Sequence, residues 1–180
     1  TPLPAVAVLP PSPATGTKPT LATTTGAPSG IPRTGSTRSA TVADNPAAPG
    51  TATESATTQT FSGCSSNVFG VTGVRSITGN ALPYGTSAAS DGTVTVTPAT
   101  GGSIRTTVVL STLLGSATCV YQAPSLSAVS SNSDAGLTFT NQVFTKVSGS
   151  VLCAGNGYFT AGYAPVVDSS VAGAPAVYTN

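Results

Sequence analysis

The chain has 180 residues, of which only 6% are charged, six basic against five acidic, for a net charge of +1. An average soluble protein carries roughly a quarter, so no basic patch able to neutralise nucleic-acid phosphates can be assembled, and nucleic acid is not an expected partner. The chain also lacks histidine, which removes Ser-His-Asp and Cys-His catalytic arrangements and the usual zinc ligand sets.

Residues 1–50 hold ten of the 15 prolines. Residues 1–13 are Pro-rich and apolar, with Ala5-Val6-Ala7-Val8-Leu9 as the single strand-like piece. Read alone, residues 1–40 look like an extended wall-spanning linker or stalk. The start at Thr1, with no charged and apolar leader, fits a processed chain.

From residue 51 the pattern changes to Thr-, Val- and Ala-rich runs cut by glycines. Strands are predicted over 57–61, 68–77, 92–98, 104–114, 117–122, 137–147 and 157–163. Turns are expected at Gly79-Asn80, Asp91-Gly92, Gly101-Gly102, 134–136, Gly149 and Asn156-Gly157. Asp91-Gly92 and Asn156-Gly157 are the tight-hairpin signals, because both central residues of a type I′ turn need positive φ. No apolar stripe recurs at a period of 3.6, and no apolar run approaches the roughly 20 residues of a membrane helix. The expected fold is all-β, an antiparallel sandwich or barrel with little or no helix.

The chain also resembles itself. Pro13-Ala14-Thr15-Gly16 returns as Pro98-Ala99-Thr100-Gly101, and Thr58-Gln59-Thr60-Phe61 as Asn141-Gln142-Val143-Phe144. Cys64 follows one and Cys153 the other, and Ala81-Leu82-Pro83-Tyr84 parallels 174–178. The shared order points to two related halves, residues 13–90 and 91–180, behind a Pro-rich extension of 1–12. On this reading 13–50 are strands rather than a tail.

Three cysteines make an odd set. Cys119 and Cys153, 34 apart, are expected to form a disulfide pinning two strands or sheets, the alternative being two reduced core thiols. The repeat places the partner of Cys64 at position 33, where the chain has Arg33. Cys64 is then free, or pairs between chains, or position 33 is misread in the sequence.

Other chemistry is thinly supplied. A carboxylate pair for glycoside hydrolysis has to come from Asp44, Glu54, Asp91, Asp134 and Asp168, four of which sit in turn-like or Pro-rich settings. A Ser–Lys dyad could use only Lys18 or Lys146. Asp134 is a calcium candidate against an ordinary Asx turn, and Lys146 with Asn141 an isopeptide candidate. Tyr121, Tyr158, Phe159, Tyr163 and Tyr178 form either a sugar-stacking face or core packing, with Tyr158 and Phe159 on opposite faces of one strand. No catalytic, cofactor-binding or metal-binding residue is assigned, and no cofactor is expected.

The run from Asn45-Pro46 to Ser55, with Thr60-Phe61, Cys64, 66–71 and Leu82-Pro83-Tyr84, resembles small exported actinomycete proteins labelled Tat-pathway signal-sequence-domain proteins. So do 107–121 and 156–165. The resemblance covers about residues 40–180. It implies export and a cysteine on each side of the Asn45-Pro46 run, where this chain has Arg33, and names no activity.

The resulting expectation is a non-enzymatic secreted, extracellular or wall-associated protein with a structural, adhesive or assembly role. Its partner would be a protein, the cell wall or a second copy, with no membrane span. The alternative is a secreted inhibitor or a ligand-binding module acting on an extracellular enzyme or glycan.

Overall fold

The computed structural model describes residues 6–8, 19–26, 29–99 and 101–179. It is all-β: thirteen strands and, among the described residues, no helix. In chain order they are β1 (Val6–Val8), β2 (Thr20–Ala22), β3 (Gly30–Pro32), β4 (Gly35–Asp44), β5 (Thr51–Ser62), β6 (Val71–Asn80) and β7 (Tyr84–Ala89). β8 (Thr93–Pro98), β9 (Ile104–Thr112), β10 (Gly115–Ala123), β11 (Leu126–Ser131), β12 (Gly136–Gly149) and β13 (Asn156–Tyr163) follow.

All pair antiparallel in one sheet that curls into a half-barrel, in the order β1-β4-β5-β7-β8-β11-β12-β10-β9-β6. Off this path, β13 pairs with β12 and β2, and β2 with β3. The longest-range partnership joins β2, near the start, to β13, near the end, through Leu21↔Phe159; β6 bonds β9 through Ile77↔Val108.

The alternation that predicted the strands also selects the core. β8 reads Thr93-Val94-Thr95-Val96, with both valines buried; β10 buries Ala117, Cys119, Tyr121 and Ala123 at every second place. Aromatics fill the centre. Phe139 lies 5.7 Å from Phe159, which meets Phe61 and Phe144 edge-on at 6.3 and 6.5 Å, arrangements suited to ring quadrupoles. Alanines complete the layer, Ala56, Ala123 and Ala161 being wholly buried.

The seven predicted strands correspond to β5, β6, β8, β9, β10, β12 and β13, with ends shifted by a few residues. The linker-like reading of 1–40 gives way to β1 to β4; the Pro13–Gly16 motif and Lys18 lie outside the described residues. The turn expectations are met in part: Asp91-Gly92 lies in the β7–β8 hairpin with its central pair shifted, whereas Gly79-Asn80 and Gly149 are the last residues of β6 and β12. At 89–92 the Gly92 N–H donates to the Ala89 carbonyl, so Ser90-Asp91 are the central pair and only Gly92 has positive φ. Asn156-Gly157 is no turn at all but the start of β13. Gly157 is there for closeness: a Cβ on it would lie 2.8 Å from Leu21 Cδ1 in the neighbouring strand.

Cys119 and Cys153 are disulfide-bonded, with Cα atoms 5.7 Å apart. The bridge ties β10 to the loop between β12 and β13 rather than strand to strand. Closing 34 residues lowers the entropy of the unfolded chain. Replacing both cysteines by alanine is expected to cost about 4 kcal/mol, read as a lower midpoint in urea unfolding; unchanged midpoints would refute a stabilising bridge.

Candidate functional site

The inward positions of β4 are Ser36, Arg38, Ala40 and Val42; those of β5 include Ala52, Glu54 and Ala56. A two-residue period thus sends one guanidinium and one carboxylate into the curl of the sheet among alanines. β7 adds Thr86 and Ala88, and β8 adds Val94. Together they floor a cleft of about 530 Å³.

Two segments form its rim. Loop 45–50 is held to the β7–β8 turn by reciprocal bonds: the Gly50 N–H donates to Ser90 Oγ (2.9 Å), and the Ser90 N–H and hydroxyl donate to the Gly50 carbonyl (3.0 and 3.1 Å). Opposite, residues 166–179 fold back through Val167↔Ala176. Asn132 clasps the end of this segment, its Nδ2 donating to the Thr179 carbonyl (2.6 Å) and its Oδ1 accepting the Thr179 N–H (2.9 Å). Tyr178, 56% exposed, stands at the opening.

Arg38 is 5% exposed, and its Nη2 donates to Thr86 Oγ1 at 2.5 Å. Burial lowers its pKa, an effect that Glu54 opposes. Burial likewise raises the pKa of Glu54, against the pull of Arg38. Each charge softens the desolvation of the other.

A second arginine lies deeper. Arg33 is 3% exposed, and burial lowers its pKa to about 10, so it remains charged at neutral pH. Its guanidinium carbon sits 4.2 Å above the Phe61 ring and 5.6 Å from that of Phe159. Nε and Nη1 have no hydrogen-bond partner. The pairing of positions 33 and 64 expected from the repeat is present in space. The Ser65 N–H donates to the Pro32 carbonyl and the Thr34 N–H to that of Ser62. Cys64 carries a free, half-buried thiol whose pKa is raised by burial, with Arg33 opposing.

Most of the predicted candidates are not brought together. Asp91 Oδ1 accepts the Thr93 N–H (2.8 Å) and Asp168 Oδ1 accepts the Ser170 N–H (2.9 Å), both turn-completing roles. Asp44 and Asp134 are exposed. Glu54 alone of the five lines the cleft. Lys146 Nζ donates to the Cys153 carbonyl (3.1 Å), and Asn141 Oδ1 accepts from Thr160 Oγ1 (3.5 Å), so the isopeptide candidates are engaged elsewhere. Among the described residues no three His, Cys, Asp or Glu side chains group as a metal site. Tyr121, Phe159 and Tyr163 are core residues, with Tyr158 half-buried on the opposite face from Phe159. Compared with protein-family models, curated proteins and solved structures, the chain finds no match.

Arg38 escaped the sequence reading. Its only signal is the inward parity of Ser36-Arg38-Ala40-Val42, which marks a charge at a core position without saying what it faces.

The raised pKa of Glu54, caused by burial, fixes the sign of a pH dependence. The folded state binds this proton more tightly than the unfolded one, so the contribution is full below the ordinary glutamate range, roughly pH 4. It is lost as pH rises through the raised folded value. Glu54→Gln is expected to flatten this decline in thermal melts taken upward from roughly pH 4; an unaltered slope would place its origin elsewhere.

Proposed function

We propose that the protein is a secreted, non-enzymatic β-module that binds a small, partly apolar ligand in the cleft above Arg38 and Glu54. The observation that carries this reading is the cleft itself. A volume of about 530 Å³, alanine and valine walls, and a few polar groups converging on the floor are the usual features of a ligand pocket. Its size suits the end of a short peptide or oligosaccharide.

The non-enzymatic part is supported by the supply of chemistry. Glu54 is the single acidic residue lining the cleft, whereas glycoside hydrolysis uses two carboxylates. Secretion is supported by the resemblance to exported actinomycete proteins and by the Cys119–Cys153 bridge, which is compatible with an oxidising compartment. The descent of residues 13–90 and 91–180 from one unit belongs to the same proposal. Hairpins β4–β5 and β11–β12, the reciprocal pairings β13–β2 and β6–β9, and the apposition of 33 with 64 support it.

A second observation favours the adhesive or assembly role. Phe69, Leu113, Leu114 and Val151 are 84–98% exposed. Their turns adjoin: Val71 pairs with Thr112, and a Cβ placed on Gly70 would lie 3.7 Å from Leu152 Cδ2. This apolar end of the sheet is suited to attachment.

Titrating isotope-labelled protein with short peptides and oligosaccharides distinguishes the two. The cleft reading expects saturable NMR shifts at Ala52, Glu54, Thr86 and Tyr178, weakened at least tenfold by Arg38→Met. Shifts confined to residues 69–71 and 112–115, or none in the cleft, would overturn it.

A further inference from the structure

The turns at the two ends of the sheet differ in kind. At the cleft end they are polar and acidic: Ser90-Asp91 between β7 and β8, and Asn132-Ser133-Asp134 between β11 and β12. Asp44 closes β4 at the same end. Asp168 follows Val166, whose N–H donates to the Ala135 carbonyl (2.7 Å). Every aspartate of the chain is therefore at that end.

At the other end β12, β10, β9 and β6 lie side by side, and their turns are apolar. Phe69 precedes Gly70, which has positive φ, in a turn closed by the Val71 N–H on the Val68 carbonyl (3.1 Å). Leu113-Leu114 join β9 to β10 across the pair Thr112↔Gly115. Val151-Leu152 lie in a turn closed by the Cys153 N–H on the Ser150 carbonyl (3.0 Å), and the Cys119–Cys153 bridge fixes its base.

Phe69, Leu113, Leu114 and Val151 serve neither core nor turn. They are 84–98% exposed, and tight turns favour Asn, Asp, Gly, Pro and Ser. Leucine at both central positions of a two-residue hairpin helps neither the backbone nor the packing, so its use lies outside the fold.

We propose that this end docks on the surface of a phospholipid bilayer, with these four side chains entering the boundary between headgroups and acyl chains. The proposal deepens the attachment reading of the apolar end, rests on it, and is independent of the cleft. Each apolar group stands at the tip of its own turn, and separate protrusions sink into a fluid boundary that needs no matching shape. Charge points the same way. Residues 62–75, 108–120 and 146–156 contain no acidic residue but hold Arg75 and Lys146. Arg75 is exposed on β6, and its Nε donates to Ser111 Oγ (3.1 Å), just before the Leu113-Leu114 turn. Lys146 Nζ donates to the Cys153 carbonyl (3.1 Å) at the base of the third turn. Cations behind an inserting apolar tip meet anionic headgroups, while the aspartates face away.

The chain has no tryptophan, so one introduced at an exposed position reports on lipid. With the disulfide-intact protein and vesicles of phosphatidylcholine and phosphatidylglycerol, the fluorescence of Phe69→Trp is expected to shift to the blue and to be quenched by lipids brominated on their acyl chains. Val129→Trp, at an exposed position of β11 towards the cleft end, is expected to show neither. Replacing Leu113 and Leu114 together by serine is expected to weaken cosedimentation with the vesicles at least about tenfold, at an unchanged urea midpoint. Arg75→Gln is expected to weaken it about fivefold on these vesicles and to have no effect on pure phosphatidylcholine. An unquenched Phe69→Trp, or equal quenching of Val129→Trp, overturns the proposal. So does self-association that the leucine substitutions abolish while vesicles stay unbound, an outcome that gives the attachment role to a second copy of the chain and leaves the reading of the apolar end intact.

Discussion

The two arms of the sheet and the β13–β2–β3 branch meet on β12. Its start pairs with β11 through Phe139↔Ala128, and its end with β10 through Lys146↔Tyr121. Thr145 pairs both with Gln122 of β10 and with Asn156 of β13. A strand has only two edges, so β11 and β10 share one and β13 takes the other. The change of neighbour happens at a bulge between Phe139 and Gln142, where Asn141 adopts φ 48°. Gln142 bridges the gap: its Oε1 accepts the Ser127 N–H (2.6 Å) and its Nε2 donates to the Thr140 carbonyl (2.8 Å). A bulge sharpens the local twist, and here it turns the sheet back so that Phe139 and Phe144 both enter the core. The aromatic cluster of Phe139, Phe144 and Phe159 is assembled around that one irregularity.

Charge is scarce in this chain, and three of the charges it has are spent inside. A surface made of Thr, Ser and amide groups needs few ions, but Arg38 and Glu54 stand where the strand period of β4 and β5 puts them, and Arg33 in the link between β3 and β4. Stacking on Phe61 contributes about 0.5–2 kcal/mol, whereas withdrawing an ion from water costs several. Arg38 offsets part of this with Thr86 and the nearby Glu54. Arg33 has the aromatic faces and little else, which makes it the least compensated group of the described structure.

The strands were legible because they are written locally. Val94 and Val96 among threonines, or Ala117 to Ala123, declare a half-buried strand within a few residues. The disulfide followed from spacing and strand context. The failures share the opposite cause. Asn156-Gly157 has the composition of a hairpin turn, and only Leu21, far away in the chain, reveals Gly157 as a packing glycine. The bulge at Asn141 is set by Thr160 and Ser127, which sequence does not place beside it. The cleft needs β4, β5, β7 and the segment ending at Thr179 assembled together, so Glu54 could be recognised as a carboxylate outside a turn but not as the neighbour of Arg38.

The pairing of β2 with β13 dictates an order of assembly. Tyr158↔Ala22 joins residues at opposite ends of the described chain, and such a contact closes only after a long loop has been brought together. β2 and β3 are three residues each and, within the sheet, pair only with one another and β13, with further bonds from β3 to Ser65 and Asn67. The hairpins β4–β5, β9–β10 and β11–β12 depend on nearby residues and form first. β2 and β3 therefore lock late, although they precede most of the sheet along the chain. In doing so they carry Leu21 and Ile31 into the core and bring the segment holding Arg33 beneath the rings of Phe61 and Phe159.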